Sequence, residues 1–147
     1  MRITQVKKID SVDALRAHVA GLAEPAPSLP IADEVPPDGI LSTPVTVTDA
    51  AGTFAIPNRF AVLPMEGWDG TTDGHPTDLV RRRWGRFAAS GCGLVWGEAT
   101  AVRPDGRANP NQLVLDERTL DGIAGLRAGL ADDQVSVLQL THSGRWS

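Results

Sequence analysis

Several things are scarce in this sequence, and each absence excludes something. It holds a single cysteine, Cys92, in 147 residues. One cysteine closes no internal disulfide, so a reducing, cytoplasmic compartment is the expectation. No apolar run approaches the ~20 residues that a membrane helix needs. The opening stretch, "MRITQVKKID", has no apolar core of the kind a signal peptide carries. Basic residues are in deficit: 14 Lys and Arg stand against 18 Asp and Glu, for a net charge of −4. A nucleic-acid partner would ask for the reverse balance. No GxGxxG follows a strand pattern and no GxxxxGK[ST] is present, so no phosphate-cradling loop is visible. No set of His, Cys and carboxylate residues has zinc spacing, and no metal is expected.

What is present is an ordinary globular balance, with 41% hydrophobic and 22% charged residues. That length supports one domain with a real core. Residues 1–40 differ from the rest. "SVDALRAHVAGL" predicts a short amphipathic helix with Ser11 as N-cap and Val12, Leu15, Val19 and Leu22 on one stripe. His18 lies within it, and a surface or capping role is expected because no second ligand is near. The following "AEPAPSLPIADEVPPDG" has five prolines in seventeen residues and reads as an extended segment.

Residues 41–147 form the second part. "VTV", "DAAG" and "TFAI" predict a β-hairpin within 44–57, and "NRFAVL" a separate buried strand ending at Pro64. The period then changes. "TDLVRRRWGRFAAS" predicts a helix over 77–90, capped by Thr77 or Asp78, with Val80, Trp84 and Phe87 inward and the arginines mainly on the opposite, solvated face. Leu94, Val95 and Trp96 read as a short buried strand, and "VRPDGRANPNQ" as a polar loop. Asp116 is expected to cap a second helix that turns Leu120, Ile123, Leu126 and Leu130 inward, and "VSVLQL" is the last strand. Hairpin, β, α, β, α, β implies an α/β fold with a parallel sheet and right-handed crossovers.

In such folds chemistry gathers at the C-terminal ends of the strands. Here those ends read "PMEGW", "GEAT" and "QLTHSGR". Pro64 and Met65 offer a flat apolar surface for an aromatic ring system, or else close a strand with a core methionine. Glu98 follows an apolar strand and needs a partner; it is either a general base or a structural acceptor for backbone N–H groups or an arginine. Ala99 is small enough to leave room for a ligand. Gln139 offers a donor and an acceptor, which suits an imide or pyrimidine edge. His142 and Arg145 follow it, and Arg145 is suited to an anionic ring or a phosphate. Cys92 sits between two glycines with no histidine nearby in sequence, which makes it a poor nucleophile.

Taken in order, "PNRFAVLPM", "GLVWGEATAV" and "QLTHSGR" resemble the N-terminal part of the old yellow enzyme family, over about residues 41–147. The resemblance implies a TIM (β/α)8 barrel, of which this chain would hold a bottom-closing hairpin and about three strands. It implies FMN as cofactor, NAD(P)H as reductant and hydride transfer to an activated alkene or similar acceptor. Under it, Pro64, Met65, Glu66, Ala99 and Gln139 contact the flavin, and Trp68, His142 and Arg145 line the site. Glu66 departs from the threonine or cysteine often found there, and a negative charge at that point disfavours an anionic reduced flavin. The family's substrate-binding histidine pair and its phosphate loops come later than this sequence runs.

A full barrel takes ~250 residues. The expectation is therefore an N-terminal fragment or half of a split barrel, inactive alone, with the missing half or a second copy as partner besides a small-molecule substrate. Two alternatives stand beside it. One is a non-catalytic remnant or interaction module that binds no flavin. The other is a different (βα) barrel enzyme with Glu98 as acid/base.

Overall fold

The computed structural model describes residues 4–22 and 31–146. The chain divides into two compact units, residues 1–37 and 38–147. In the first, α1 (Val12–Ala20) begins at Ser11, whose hydroxyl accepts from Ala14 N–H at 3.1 Å. Leu15 and Val19 are half-buried, while Val12 and Leu22 are exposed, so the stripe is only partly covered. Arg16 ties the helix to the extended chain beyond it, donating to the Ile31 carbonyl at 3.0 Å and to Asp33 at 2.8 Å. Much of the proline-rich stretch, residues 23–30, lies outside the described residues.

The second unit opens with an antiparallel hairpin of β1 (Val45–Asp49) and β2 (Gly52–Ile56), in register from Val45 opposite Ile56 to Asp49 opposite Gly52. The Asp49 carboxylate accepts from Ala51 N–H at 2.8 Å and closes the turn, a local bond that aspartate favours. Three parallel strands follow in the order β3 (Ala61–Val62), β4 (Leu94–Ala101) and β5 (Val135–Thr141). The connections carry α2 (Asp78–Ala89) and α3 (Leu120–Ala128).

Both helices lie against one face of this sheet. Val80 and Trp84 of α2 and Ile123 and Leu126 of α3 pack with Val95, Leu113 and Leu130, and Val62, Phe87, Leu115 and Leu138 border them. Each such side chain contributes about 1.5–3 kcal/mol on leaving water. The opposite face carries Leu63, Trp96 and Val137, all exposed.

The structure departs from the sequence expectations in five places. β3 is two residues long because the Asn58 amide does the pairing a longer strand would do. It accepts from Phe60 N–H and Gly93 N–H and donates to the Gly91 carbonyl. β4 is longer than expected, and Trp96 is 41% exposed. The pleat gives Val95 to the helices and Trp96 to the other face. The supposed polar loop folds back on β4: Ala101 N–H donates to the Leu113 carbonyl at 2.9 Å, Leu115 N–H donates to Ala101 at 2.8 Å, and Leu113 and Val114 are fully buried. α3 starts at Leu120, which is exposed at the first turn, and Asp116 holds the turn ahead of it rather than the cap position, accepting from Arg118 N–H and Thr119 N–H. Finally, Arg81, Arg82 and Arg86 are solvated, but Arg83 turns inward.

Candidate functional site at the strand ends

Because β3, β4 and β5 are parallel, their C-terminal ends share one side of the sheet. After β3 the chain runs as an irregular loop from Leu63 to Gly70. Proline has no N–H for a ladder, and Pro64 stops the strand. Met65 is 76% exposed, which overturns the core-methionine reading. Pro64 is half-buried beside it. Glu66 is half-buried, and its Oε2 is shielded from solvent with no hydrogen-bond partner. Trp68 is half-exposed at a φ of +50°, a left-handed conformation rare for a bulky side chain.

Within β4, Glu98 is 3% exposed and both of its carboxylate oxygens accept hydrogen bonds. Oε1 accepts from Arg83 Nη2 at 2.7 Å and from Trp84 Nε1 at 3.1 Å, and Oε2 accepts from Gly67 N–H at 3.3 Å. Of the two readings offered by the sequence, these contacts favour the structural acceptor for an arginine and a backbone N–H. Burial alone would lower the pKa of Arg83, but its hydrogen bonds to Asp69 and Glu98 outweigh that and raise it. Ala99 is buried, and its carbonyl accepts from Gln112 Nε2 at 3.0 Å.

Gln139 is half-buried on β5. Leu138 packs on the core, so alternation puts Gln139 with Val137 on the helix-free face. Among the described residues its amide has no hydrogen-bond partner. His142 is exposed; its Nδ1 accepts from Gly144 N–H at 3.0 Å, and its ring lies over Gly106. Arg145 lies over the Trp146 ring at 4.8 Å. No hydrogen bond joins Gln139, His142 and Arg145, so the terminal polar cluster separates into three environments. Among the described residues no His, Cys, Asp and Glu group is placed to hold a metal ion, and no helix is long and apolar enough to cross a membrane.

Sequence reasoning missed Arg83, Asp69 and Gln112. A signal for Arg83 existed: it stands three residues after Val80 and four before Phe87, on the inward stripe of α2. Gln112 gave no such signal. Its amide bridges the Ala99 carbonyl, Thr141 Oγ1 at 3.2 Å and Ala108 N–H at 2.7 Å, contacts that exist only once the loop folds back.

No protein-family model matches the chain. Solved structures do. Morphinone reductase aligns with a TM-score of 0.60 and 27% identity over 73% of this chain and 27% of its own. Its complex with tetrahydroNAD aligns at 0.61 with 26% identity over 75% and 29%. The old yellow enzyme homologue from Zymomonas mobilis shares the fold at 0.61 with 22% identity, over 73% of this chain and 29% of its own. The chain thus spans less than a third of the length of each of these structures, all of them old yellow enzyme family members.

Proposed function

We propose, starting from the kinship of this chain with the old yellow enzyme family, that residues 41–147 form the first part of an FMN-binding TIM barrel. In that barrel the helix-free sheet face turns to the interior and the strand ends form one wall of the flavin site. The activity is that of an NAD(P)H oxidoreductase passing hydride to an activated alkene or similar acceptor. The partner is either the remaining barrel strands or a second copy, and the substrate is a small molecule.

The observation that carries this reading is the unspent amide of Gln139, beside a helix-free face whose neighbouring strand end exposes Met65. A half-buried amide without a partner is costly unless a ligand or water satisfies it. Pro64, Met65 and Gln139 therefore fit a flavin: Met65 and Pro64 would lie against the ring, and Gln139 would donate to and accept from its pyrimidine edge. Ala99 fits less fully, since its carbonyl is already engaged by Gln112 and only its small side chain is left. Glu66 brings a carboxylate to the same wall. Bound flavin would supply the hydride chemistry; the chain's residues bind the ring, orient it and exclude water on one side. Trp68 is suited to line the mouth. His142 and Arg145 are assigned to the rim only.

Titrating FMN fluorescence with the purified chain tests the reading. Quenching at fixed stoichiometry that weakens about tenfold or more in Gln139→Ala is expected from the loss of a paired amide. A folded chain that leaves FMN fluorescence unchanged would turn the assignment toward the module that binds no flavin, for which the exposed Trp96 and Val137 supply an apolar contact face.

A further inference from the structure

The loop that carries Glu66 and Trp68 has no ladder of its own, yet it holds a tryptophan in a left-handed conformation. Such a backbone is strained and persists only where the surroundings over-determine it. Glu66 does not supply the constraint, because its buried Oε2 bonds nothing. The anchors lie on either side of Trp68. Before it, Gly67 N–H donates to Glu98 Oε2 at 3.3 Å. After it, the Asp69 carboxylate takes both terminal nitrogens of Arg83, Nη1 at 2.5 Å and Nη2 at 3.0 Å. The Asp69 carbonyl accepts from Thr77 Oγ1 at 2.6 Å, and Gly70 exchanges two bonds with Asn111, each 2.9 Å.

Two of these anchors converge on one guanidinium. Arg83 holds Asp69 directly, and it holds Glu98 at 2.7 Å, which in turn receives Gly67 N–H. It also sits directly under the loop: a Cβ built on Gly67 would stand 2.5 Å from the Arg83 Cζ. A side chain at Gly67 would therefore have to displace the guanidinium. A planar fork can serve two carboxylates at once, which an ammonium cannot do in the same geometry.

We infer that Arg83 is the positioning residue of this loop: seated under Gly67 and bridging Asp69 to Glu98, it fixes where Glu66 and Trp68 stand at the strand-end site. Its importance for chemistry rests on the flavin reading above; its structural action does not. Arg83 acts through Asp69 and Glu98.

Hydrogen exchange of the full chain, read by mass spectrometry, separates the two. In Arg83→Lys, exchange of the peptide spanning 63–70 is expected to speed by about tenfold, the cost of roughly one charge-assisted bond, while β5 and α3 keep their protection. Gly67→Ala should do the same by displacing the guanidinium with all charges intact, and it decides the matter if Arg83→Lys does not fold. Unchanged exchange at 63–70, or protection lost evenly across the unit, overturns the inference. With FMN added, the absorption band of bound flavin should shift in Arg83→Lys relative to the unmutated chain. If the unmutated chain takes up no FMN, the flavin reading fails and the exchange result still stands.

Discussion

Glu98 Oε1 accepts from Arg83 Nη2 at 2.7 Å, joining the middle of β4 to the middle of α2 inside the unit. Both side chains are sheltered, Glu98 almost wholly. Removing one partner of a buried pair strands the other. Glu98→Ala is therefore expected to cost about 3 kcal/mol, the low end for such a loss because Arg83 keeps Asp69. Glu98→Gln should cost less, since an amide oxygen still accepts from Trp84. Urea unfolding midpoints of the two variants check both the size and the order.

Trp84 has two jobs that can be pulled apart. Its ring fills the core against Val80 and Val95, and its Nε1 donates to Glu98 at 3.1 Å. Trp84→Ala loses both and should cost about 3–5 kcal/mol. Trp84→Phe keeps most of the packing and loses the donor, at about 1–2 kcal/mol. The same unfolding experiment distinguishes them. Equal losses would mean that only the fit of the full indole matters.

Gly74 and Gly85 should respond oppositely to alanine. Gly74 is buried at φ +90°, its N–H donates to Thr71 and its carbonyl accepts from Val114 N–H, and a Cβ there would stand 2.7 Å from the Val114 Cβ. Strain and overpacking together should cost about 2–4 kcal/mol. Gly85 lies in α2 with nothing within 4 Å of an added Cβ. Gly85→Ala should stabilise by about 0.5–1 kcal/mol through helix propensity. Thermal melts of the two variants, moving in opposite directions, are the expected result.

Three exposed carboxyls contribute to the acid limb of stability. Hydrogen bonds from Thr71, Arg103 and Arg118 hold Asp73, Asp105 and Asp116, respectively, below the ordinary carboxylate value. A group whose folded pKa is depressed stabilises the fold above its unfolded pKa and loses that contribution as pH falls through the folded value. Stability should therefore hold from neutrality to about pH 4 and decline below it. Denaturant midpoints across pH 2–7, with Asp116→Asn flattening part of the acid slope, are the measurement.

The order and direction of the elements were legible in the residues, because periodicity and caps are local. Ser11 and Thr77 cap the helices expected of them, and β3, β4 and β5 run parallel as the alternation implied. What escaped depended on contacts distant in sequence. Asn58 shortened β3 by bonding Gly91 and Gly93, more than thirty residues away. Leu113 and Val114 entered the core only because their loop turned back onto Ala101. Arg83 escaped for the same reason: a run of arginines looks uniformly solvated until one is seen under a loop.

β4 pairs Gly97 with Leu138 and then Thr100 with Leu140, a slip of register within the strand. Consecutive strand residues normally alternate faces, yet Gly97 abuts Trp84 and Glu98 bonds it, so both look toward α2. The slip is a parity switch. It stores the carboxylate among the helices and away from the other face of the sheet, and it resets the count for Thr100 and Ala101. Deleting Ala99 would restore plain alternation and move the charge of Glu98 across the sheet. Length at this point of the strand is therefore as constrained as identity.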